Sequence, residues 1–310
     1  MKKLNYFLVL CIPFLFSCDP NNNKKRYVTR HTYARDFCLN HPYITGDLFR
    51  HFSHHIVDDT HIPFYPHLVK EGDVIFLKAK YLQKYIKYMH PFIKNPYVLI
   101  TGNGDEEVPG EYASLVDDPK IIVWFGMNAT LPHPKLIPIP IGGGNKIVEQ
   151  IQKQPNEKQR LLYLNFQELN HPERVAVKNH FSTQSFCTVD ERKPYFEYLT
   201  EIRRSKFHLS PRGNGIDCHR VWETILVGSI PILRSTPLDP LYQDLPVLIV
   251  KEWSEVTETF LEKAYTEISE KSYHLDKLYV DYWLKIIDSY AGRSYYSPEK
   301  LQEVQVGSKL

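Results

Sequence analysis

Residues 206–233 read Lys206-Phe-His-Leu-Ser210-Pro-Arg-Gly-Asn-Gly215-Ile-Asp-Cys-His-Arg220-Val-Trp-Glu-Thr-Ile225-Leu-Val-Gly-Ser-Ile230-Pro-Ile-Leu233. The stretch parses as strand, glycine loop, helix and strand. A strand ends at Leu209 or Ser210. The loop Pro211-Arg212-Gly213-Asn214-Gly215 then turns sharply and presents backbone N–H groups. Asp217 stands where a helix N-cap belongs, Gly228 ends the helix, and Pro231 helps start the next strand. On a wheel advancing about 100° per residue from His219, Arg220 falls near 100°, Glu223 near 40° and Thr224 near 140°. Val221, Trp222, Ile225 and Leu226 fill the opposite sector, so one face packs on a sheet while His219, Arg220, Glu223 and Thr224 look outward. A strand, glycine loop and helix N-terminus in this order form an anion site at the carboxyl edge of a parallel sheet. Arg212 suits a diphosphate, which a guanidinium meets bidentately, and Glu223 suits the hydroxyls of a ribose or sugar. Each residue alone has a plainer reading. Trp222 is core, Arg212 could be a surface ion-pair residue, and Arg220 and Glu223 could be an i,i+3 pair worth a few tenths of a kcal/mol. Together they favour ligand binding.

Outward from this stretch the chain alternates strands and helices. Val74–Leu77 is a continuous apolar run, as for a strand buried on both faces. Leu82, Tyr85, Ile86, Met89 and Ile93 follow at helical spacing. Strands are expected at Tyr97–Ile100, Ile121–Phe125 and Leu136–Ile141; the prolines of the last lack a ladder donor and place it at an edge. Gly142-Gly143-Gly144 closes this half, and residues 151–159 read as a linker. The second half repeats the alternation. Strands are expected at 161–164, 186–189, 207–209, 230–233 and 247–250, with helices at 172–181 and 195–204. A helical tail runs from 257 to 290. The expected class is α/β, with two Rossmann-like domains of mainly parallel sheet.

The whole chain has 310 residues, enough for about two domains at roughly 150 residues each. Its 13% aromatic content buries too well for a disordered chain. The 38 basic and 36 acidic side chains leave a net charge of +2, which argues against nucleic acid as a partner. A mean hydropathy of −0.37 excludes a polytopic membrane protein. Lys2 and Lys3 precede an apolar run from Leu4 to Phe16, too short at about 20 Å to span a bilayer. It reads as a secretory signal. Leu15-Phe16-Ser17-Cys18 resembles the lipobox of bacterial lipoproteins, making Cys18 the lipidated residue and the location membrane-associated; a short signal anchor is the alternative. Residues 19–40, polar and basic, read as a tether. The remaining cysteines, Cys38, Cys187 and Cys218, show no disulfide or zinc spacing. His51, His54 and His55 read as a solvated or aromatic-packed surface rather than a metal site, and no metal or other cofactor is expected.

Residues 210–233, with Ser235-Thr236-Pro237-Leu238-Asp239-Pro240-Leu241-Tyr242 and the stretch through Trp253-Ser254, resemble the nucleotide-sugar-binding region of exostosin-like glycosyltransferases. Residues 97–145 are similar to the acceptor-side half of the same proteins. The resemblance implies a GT-B fold, in which two Rossmann-like domains face across a cleft and the C-terminal one holds the donor. The expected division is a signal (1–18), a tether (19–40), an acceptor-side domain (41–150), a donor-binding domain (151–256) and a helical tail (257–310). No bound metal is implied, because arginine, lysine and helix N-termini stabilise the leaving diphosphate. Where relatives commonly carry His-Asn-Ser-Asp, this chain has Gly102-Asn103-Gly104-Asp105, keeping only the carboxylate as a candidate base.

The functional expectation is a membrane-tethered transferase moving sugar from a nucleotide-sugar donor to an acceptor hydroxyl of a glycan or glycoconjugate. Arg212 and the amides of Gly213, Asn214 and Gly215 neutralise the diphosphate, and Glu223 binds donor hydroxyls beside Ser210, His219 and Arg220. Asp105 is the candidate base across the cleft; with Glu106 and Glu107 it otherwise reads as an acidic loop. Gly102 and Gly104 keep a second reading open, a sugar- or nucleotide-binding lipoprotein that retains the fold without turnover. A nicotinamide enzyme is disfavoured, since no GxGxxG follows the first strand.

Overall fold

The computed structural model describes residues 41–292. The signal, Cys18, the tether and residues 293–310 lie outside the described residues. Five parallel strands form a first sheet: β1 (His55–Val57), β2 (Asp73–Lys78), β3 (Tyr97–Gly102), β4 (Ile121–Gly126) and β5 (Leu136–Pro138), in that spatial order. Its side chains alternate between two cores. Val74, Phe76, Val98, Ile100, Val123 and Phe125 enter one, while Ile75, Leu77, Tyr97, Leu99, Ile121 and Trp124 enter the other. Burial on both faces is why the runs are continuously apolar. β5 is the edge strand, as its prolines require, and its ladder stops at Pro138.

The second sheet contains β6 (Arg160–Leu164), β7 (Cys187–Val189), β8 (Ser205–Leu209), β9 (Ile230–Arg234) and β10 (Leu248–Val250). Its order is β10-β9-β8-β6-β7, again all parallel. After β7 the chain crosses back over β6 to lay down β8, so winding reverses between β6 and β8. Ligands of open α/β sheets bind in the crevice beyond the carboxyl ends of such a pair.

Eight α-helices cover the sheets among the described residues: α1 (Gly46–His51), α2 (Leu82–Tyr88), α3 (Lys146–Gln152), α4 (Pro172–Phe181), α5 (Tyr195–Arg203), α6 (His219–Leu226), α7 (Glu258–Ser269) and α8 (Val280–Ala291). α2 stops at Tyr88, and a 3-10 turn at His90–Phe92 takes over where Pro91 cannot continue the helix. β1, α1 and α3 were not expected from the sequence; β1 is only three residues long, and α1 only six.

The helical tail divides between the sheets. Leu261 and Ala264 of α7 pack with Val250 and Ile232 on the second sheet. α8 returns to the first, where Trp283 meets Phe49 edge-on at 6.1 Å and Tyr290 meets Phe125 at 5.9 Å. Backbone bonds from Ile44 N to Leu278 O (2.9 Å) and from Val280 N to Pro42 O (3.0 Å) stitch the two ends together. The linker is held as firmly. Arg203 donates through Nη2 to the carbonyls of Gln152 and Gln154, and Lys158 Nζ donates to Arg203 O, Gly228 O and Ser229 Oγ. The result is two Rossmann-like α/β domains facing a cleft, with C-terminal helices.

Candidate functional site

The cleft follows from the strand ends. Asn165, Phe166 and Gln167 leave β6, and Gly213, Asn214 and Gly215 leave the turn after β8. These residues, with the first turn of α6, line a cavity of about 630 Å³. From the first domain, Asp105 beyond β3 and Ile141 beyond β5 close its other side. A second compartment of about 570 Å³ adjoins it, lined by Thr45, Asp47, Asn103, Gly104 and the Gly143-Gly144-Asn145 turn. Asp105, Ile141, Tyr195, His219 and Glu223 border both compartments.

α6 carries the polar centre. Val221, Trp222, Ile225 and Leu226 are buried as its wheel demands. Thr224 departs from the outward placement expected of it, being fully buried. Its hydroxyl donates to Arg220 O (2.7 Å) and lies 2.9 Å from His208 Nδ1, so the side chain needs no water. Asp217 also differs from its expected capping role: Cys218 is the N-cap. The buried Asp217 carboxylate instead accepts from Trp222 Nε1 (2.9 Å), Tyr242 OH (2.9 Å), Cys218 N (2.9 Å) and Ile141 N (2.8 Å). Its last partner belongs to the first domain, so Asp217 fixes the start of α6 against the facing lobe.

Three further contacts set that junction. Asn128, with a positive φ of 53°, accepts from Asp217 N at 2.9 Å. A side chain at Gly215 would come within 2.9 Å of the same asparagine. His219 Nδ1 lies 2.6 Å from Gly142 O. Gly143 and Gly144 let this turn press on α6; a Cβ at Gly144, where φ is 120°, would stand 2.7 Å from Tyr43 and 2.8 Å from Leu226.

Positive charge gathers on the second domain's side. Arg174, Arg192, Lys193 and Arg220 line the larger compartment. Arg174 is buried and donates through Nε to Arg212 O (2.8 Å) and through Nη1 to Gln167 O (3.0 Å), holding the glycine loop from behind. Arg220 lies over the Phe166 ring, 5.3 Å from its centroid. Its Nε and Nη1 are buried and meet no acceptor among the described residues. Burial lowers the pKa of Arg174, and the nearby Arg220 charge lowers it further. An anion placed between such cations relieves their repulsion.

Glu223 is half-buried and accepts from Tyr195 OH at 2.9 Å. Loss of water raises its carboxyl pKa, which Tyr195, His219 and Arg220 partly oppose. Burial likewise pushes the Tyr195 and Tyr198 hydroxyls well above their ordinary values, so both remain donors. In the second compartment Asn103 Nδ2 donates to Asp47 Oδ1 at 2.8 Å, and the buried Thr45 Oγ1 meets no partner among the described residues.

The structure thus gathers Asp105, Gly213, Asn214, Gly215, His219, Arg220 and Glu223 around one cleft. Arg212 and Ser210 are outside the cavity lining. Arg212 pairs with Glu107 Oε1 of the facing domain (3.2 Å) and with Asn214 O (3.1 Å), and Ser210 Oγ donates to His208 O (3.3 Å). Sequence reasoning missed Arg174, Asn128, Asp47 and the tyrosine pair; only Tyr195 and Tyr198, three apart on one helix face, left a local signal. Of the histidines that invited a metal reading, His55 lies 2.9 Å from Asp73 and His54 Nδ1 accepts from Val74 N. Among the described residues no group of three or more His, Cys, Asp or Glu could hold a metal ion.

No protein-family model matches the chain, and no curated protein matches it in sequence. Solved structures are similar at the level of the fold. An α1,3-fucosyltransferase aligns over 76% of this chain and 80% of its own, at 12% identity and a TM-score of 0.42. The UDP-GlcNAc 2-epimerase of Methanocaldococcus jannaschii aligns over 65% and 71%, at 12% identity and 0.33. A chain of the GtfA/B complex aligns over 76% of this chain and 58% of its own, at 10% identity and 0.34.

Proposed function

We propose that the chain is a glycosyltransferase of the exostosin-like kind, taking a nucleotide-sugar donor in the larger compartment and a hydroxyl-bearing glycan or glycoconjugate in the smaller. The observation that carries this reading is the Arg220 guanidinium. Two of its buried donors lack an acceptor among the described residues, and it shares one cavity with Glu223 and the Gly213–Gly215 loop. Leaving such donors empty costs about 1–3 kcal/mol or more, which a bound diphosphate would recover.

In this assignment Arg220, Arg192, Lys193 and the loop amides hold the diphosphate. Arg174 positions the loop, and Arg212 ties the loop to Glu107 at the cleft mouth. Glu223, oriented by Tyr195, accepts from a ribose or donor-sugar hydroxyl, with His219 beside it. The acceptor hydroxyl attacks the anomeric carbon and its proton passes to the Asp105 carboxylate. The bond from that carbon to the diphosphate breaks, and its electron pair stays on the leaving phosphate oxygen. The cationic side chains stabilise that charge, an electrostatic role that calls for no metal in this scheme. Asp47 and Asn103 line the acceptor's compartment. Attachment through Cys18 would keep the enzyme at a membrane surface, and because nucleotide sugars are cytosolic, a lipid-linked donor fits the same pocket chemistry in an exported chain.

The test is transfer of radiolabelled sugar from a nucleotide-sugar panel to oligosaccharide acceptors. Asp105→Asn is expected to lower transfer 100-fold or more while sparing donor binding, within the usual ~10²–10⁴-fold contribution of a general base. Full transfer by Asp105→Asn would remove Asp105 from its role. Donor binding without turnover across the panel would instead support a sugar- or nucleotide-binding protein, a reading that the glycines at 102 and 104 favour.

A further inference from the structure

Five exposed large apolar side chains stand between residues 62 and 92: Ile62 (46% exposed), Tyr65 (52%), Leu68 (55%), Tyr88 (59%) and Phe92 (65%). The segments that carry them meet. The 62–68 segment crosses α2, with the Phe64 ring 6.1 Å from Tyr85, and the Pro66–Leu68 turn touches the His90–Phe92 turn. This face is the outer layer of the first domain, over the core of Ile75, Leu77 and Leu99. None of the five lines either compartment of the cleft.

Scattered exposed hydrophobes need no explanation, but these stand among lysines that outnumber the acids. Lys70, Lys84, Lys87 and Lys94 are exposed in the same segment beside one exposed acid, Glu71, while Lys78 and Lys80 are paired with Asp59. Lys87 Nζ lies 5.1 Å from the Tyr88 ring centroid, and Lys84 Nζ 5.9 Å from that of Tyr81. Aromatic and aliphatic side chains inside a lysine frame match a lipid headgroup region, where rings sit at the interface and ammonium groups meet anionic phosphates. A protein partner would match the apolar centre but leave the lysines needing acids of its own.

We propose that this face docks on an anionic lipid bilayer, with Ile62, Tyr65, Leu68, Tyr88 and Phe92 entering the interface and Lys84 and Lys87 meeting the headgroups. The docking is independent of the chemistry assigned to the cleft and of any lipid on Cys18. It turns the outer face of the first domain to the membrane and leaves the cleft on another face.

Phe92→Trp in the full chain supplies the probe. Trp124, Trp222 and Trp283 are buried, and Trp253 belongs to the second domain. The vesicles contain phosphatidylglycerol and phosphatidylethanolamine with brominated acyl chains. Phe92→Trp emission should be quenched beyond that of the wild type, and Lys84→Glu/Lys87→Glu should weaken this partition roughly 30-fold or more. Equal quenching by neutral phosphatidylcholine vesicles, insensitive to salt, would overturn the anionic requirement. Vesicle binding with no added quenching at position 92 would remove this face from the contact. A dimer in light scattering that Phe92→Ser converts to monomer would assign the face to a second copy and end the proposal.

Discussion

Burial sets the chemistry of Glu223. Its carboxylate is the form that accepts from a sugar hydroxyl, and loss of water makes that form harder to keep. With the pKa raised above the ordinary 4.5, donor affinity should fall as pH drops through a range where a free glutamate stays ionised. Glu223→Gln should remove this acidic limb from a pH series of donor-binding titrations; an unchanged limb would place the titrating group elsewhere. Asp217 is a structural carboxylate. Four donors converge on it, and Asp217→Ala would strand Trp222 Nε1 and Tyr242 OH inside the protein. A loss of about 1–3 kcal/mol per stranded buried donor is expected in urea denaturation. The cleft should also loosen, since Ile141 N loses the same partner.

At the scale of elements, α6 and the glycine turn 142–144 act as one unit. The turn needs backbone approach rather than side chains, because α6 presents Leu226 and Trp222 directly against it. Gly144→Ala should therefore destabilise the protein by roughly 1–3 kcal/mol, through both the positive φ and the clash with Tyr43, and a thermal melt would show it. The sequence already revealed α6, because its wheel separates Trp222 and Val221 from Arg220 and Glu223. It also revealed the strands, because sheets buried on both faces leave uninterrupted apolar runs such as Val74–Leu77. Thr224 misled the wheel, since a hydroxyl bonded to the carbonyl one turn earlier is as content in the core as a methyl group. β1 and α1 left little pattern; three and six residues are too short for a period to repeat. Arg174 was invisible for a different reason. It reaches the glycine loop from 38 positions away, a relation that only the folded chain creates.

The whole molecule is closed by chain segments that cross between the sheets. α8 returns to the first sheet, and Trp283→Ala, which empties its largest contact, should cost about 3–5 kcal/mol. Lys158, between the domains, carries a measurable signature. Burial lowers its pKa to about 8 from the ordinary 10.5, so between those values the unfolded chain holds a proton that the folded chain has released. Stability should consequently rise with pH from about 8 to 10.5, and the penalty is fully present below 8. Lys158→Met should flatten that rise relative to the wild type in urea midpoints. Calorimetric titration of nucleoside diphosphates into the wild type and Arg220→Ala probes the crevice that these connections hold together. At least one diphosphate should bind, and the substitution should weaken it about 10- to 150-fold, the worth of a charge-assisted contact. Equal affinity in both proteins, or no binding by either, would contradict the diphosphate assignment.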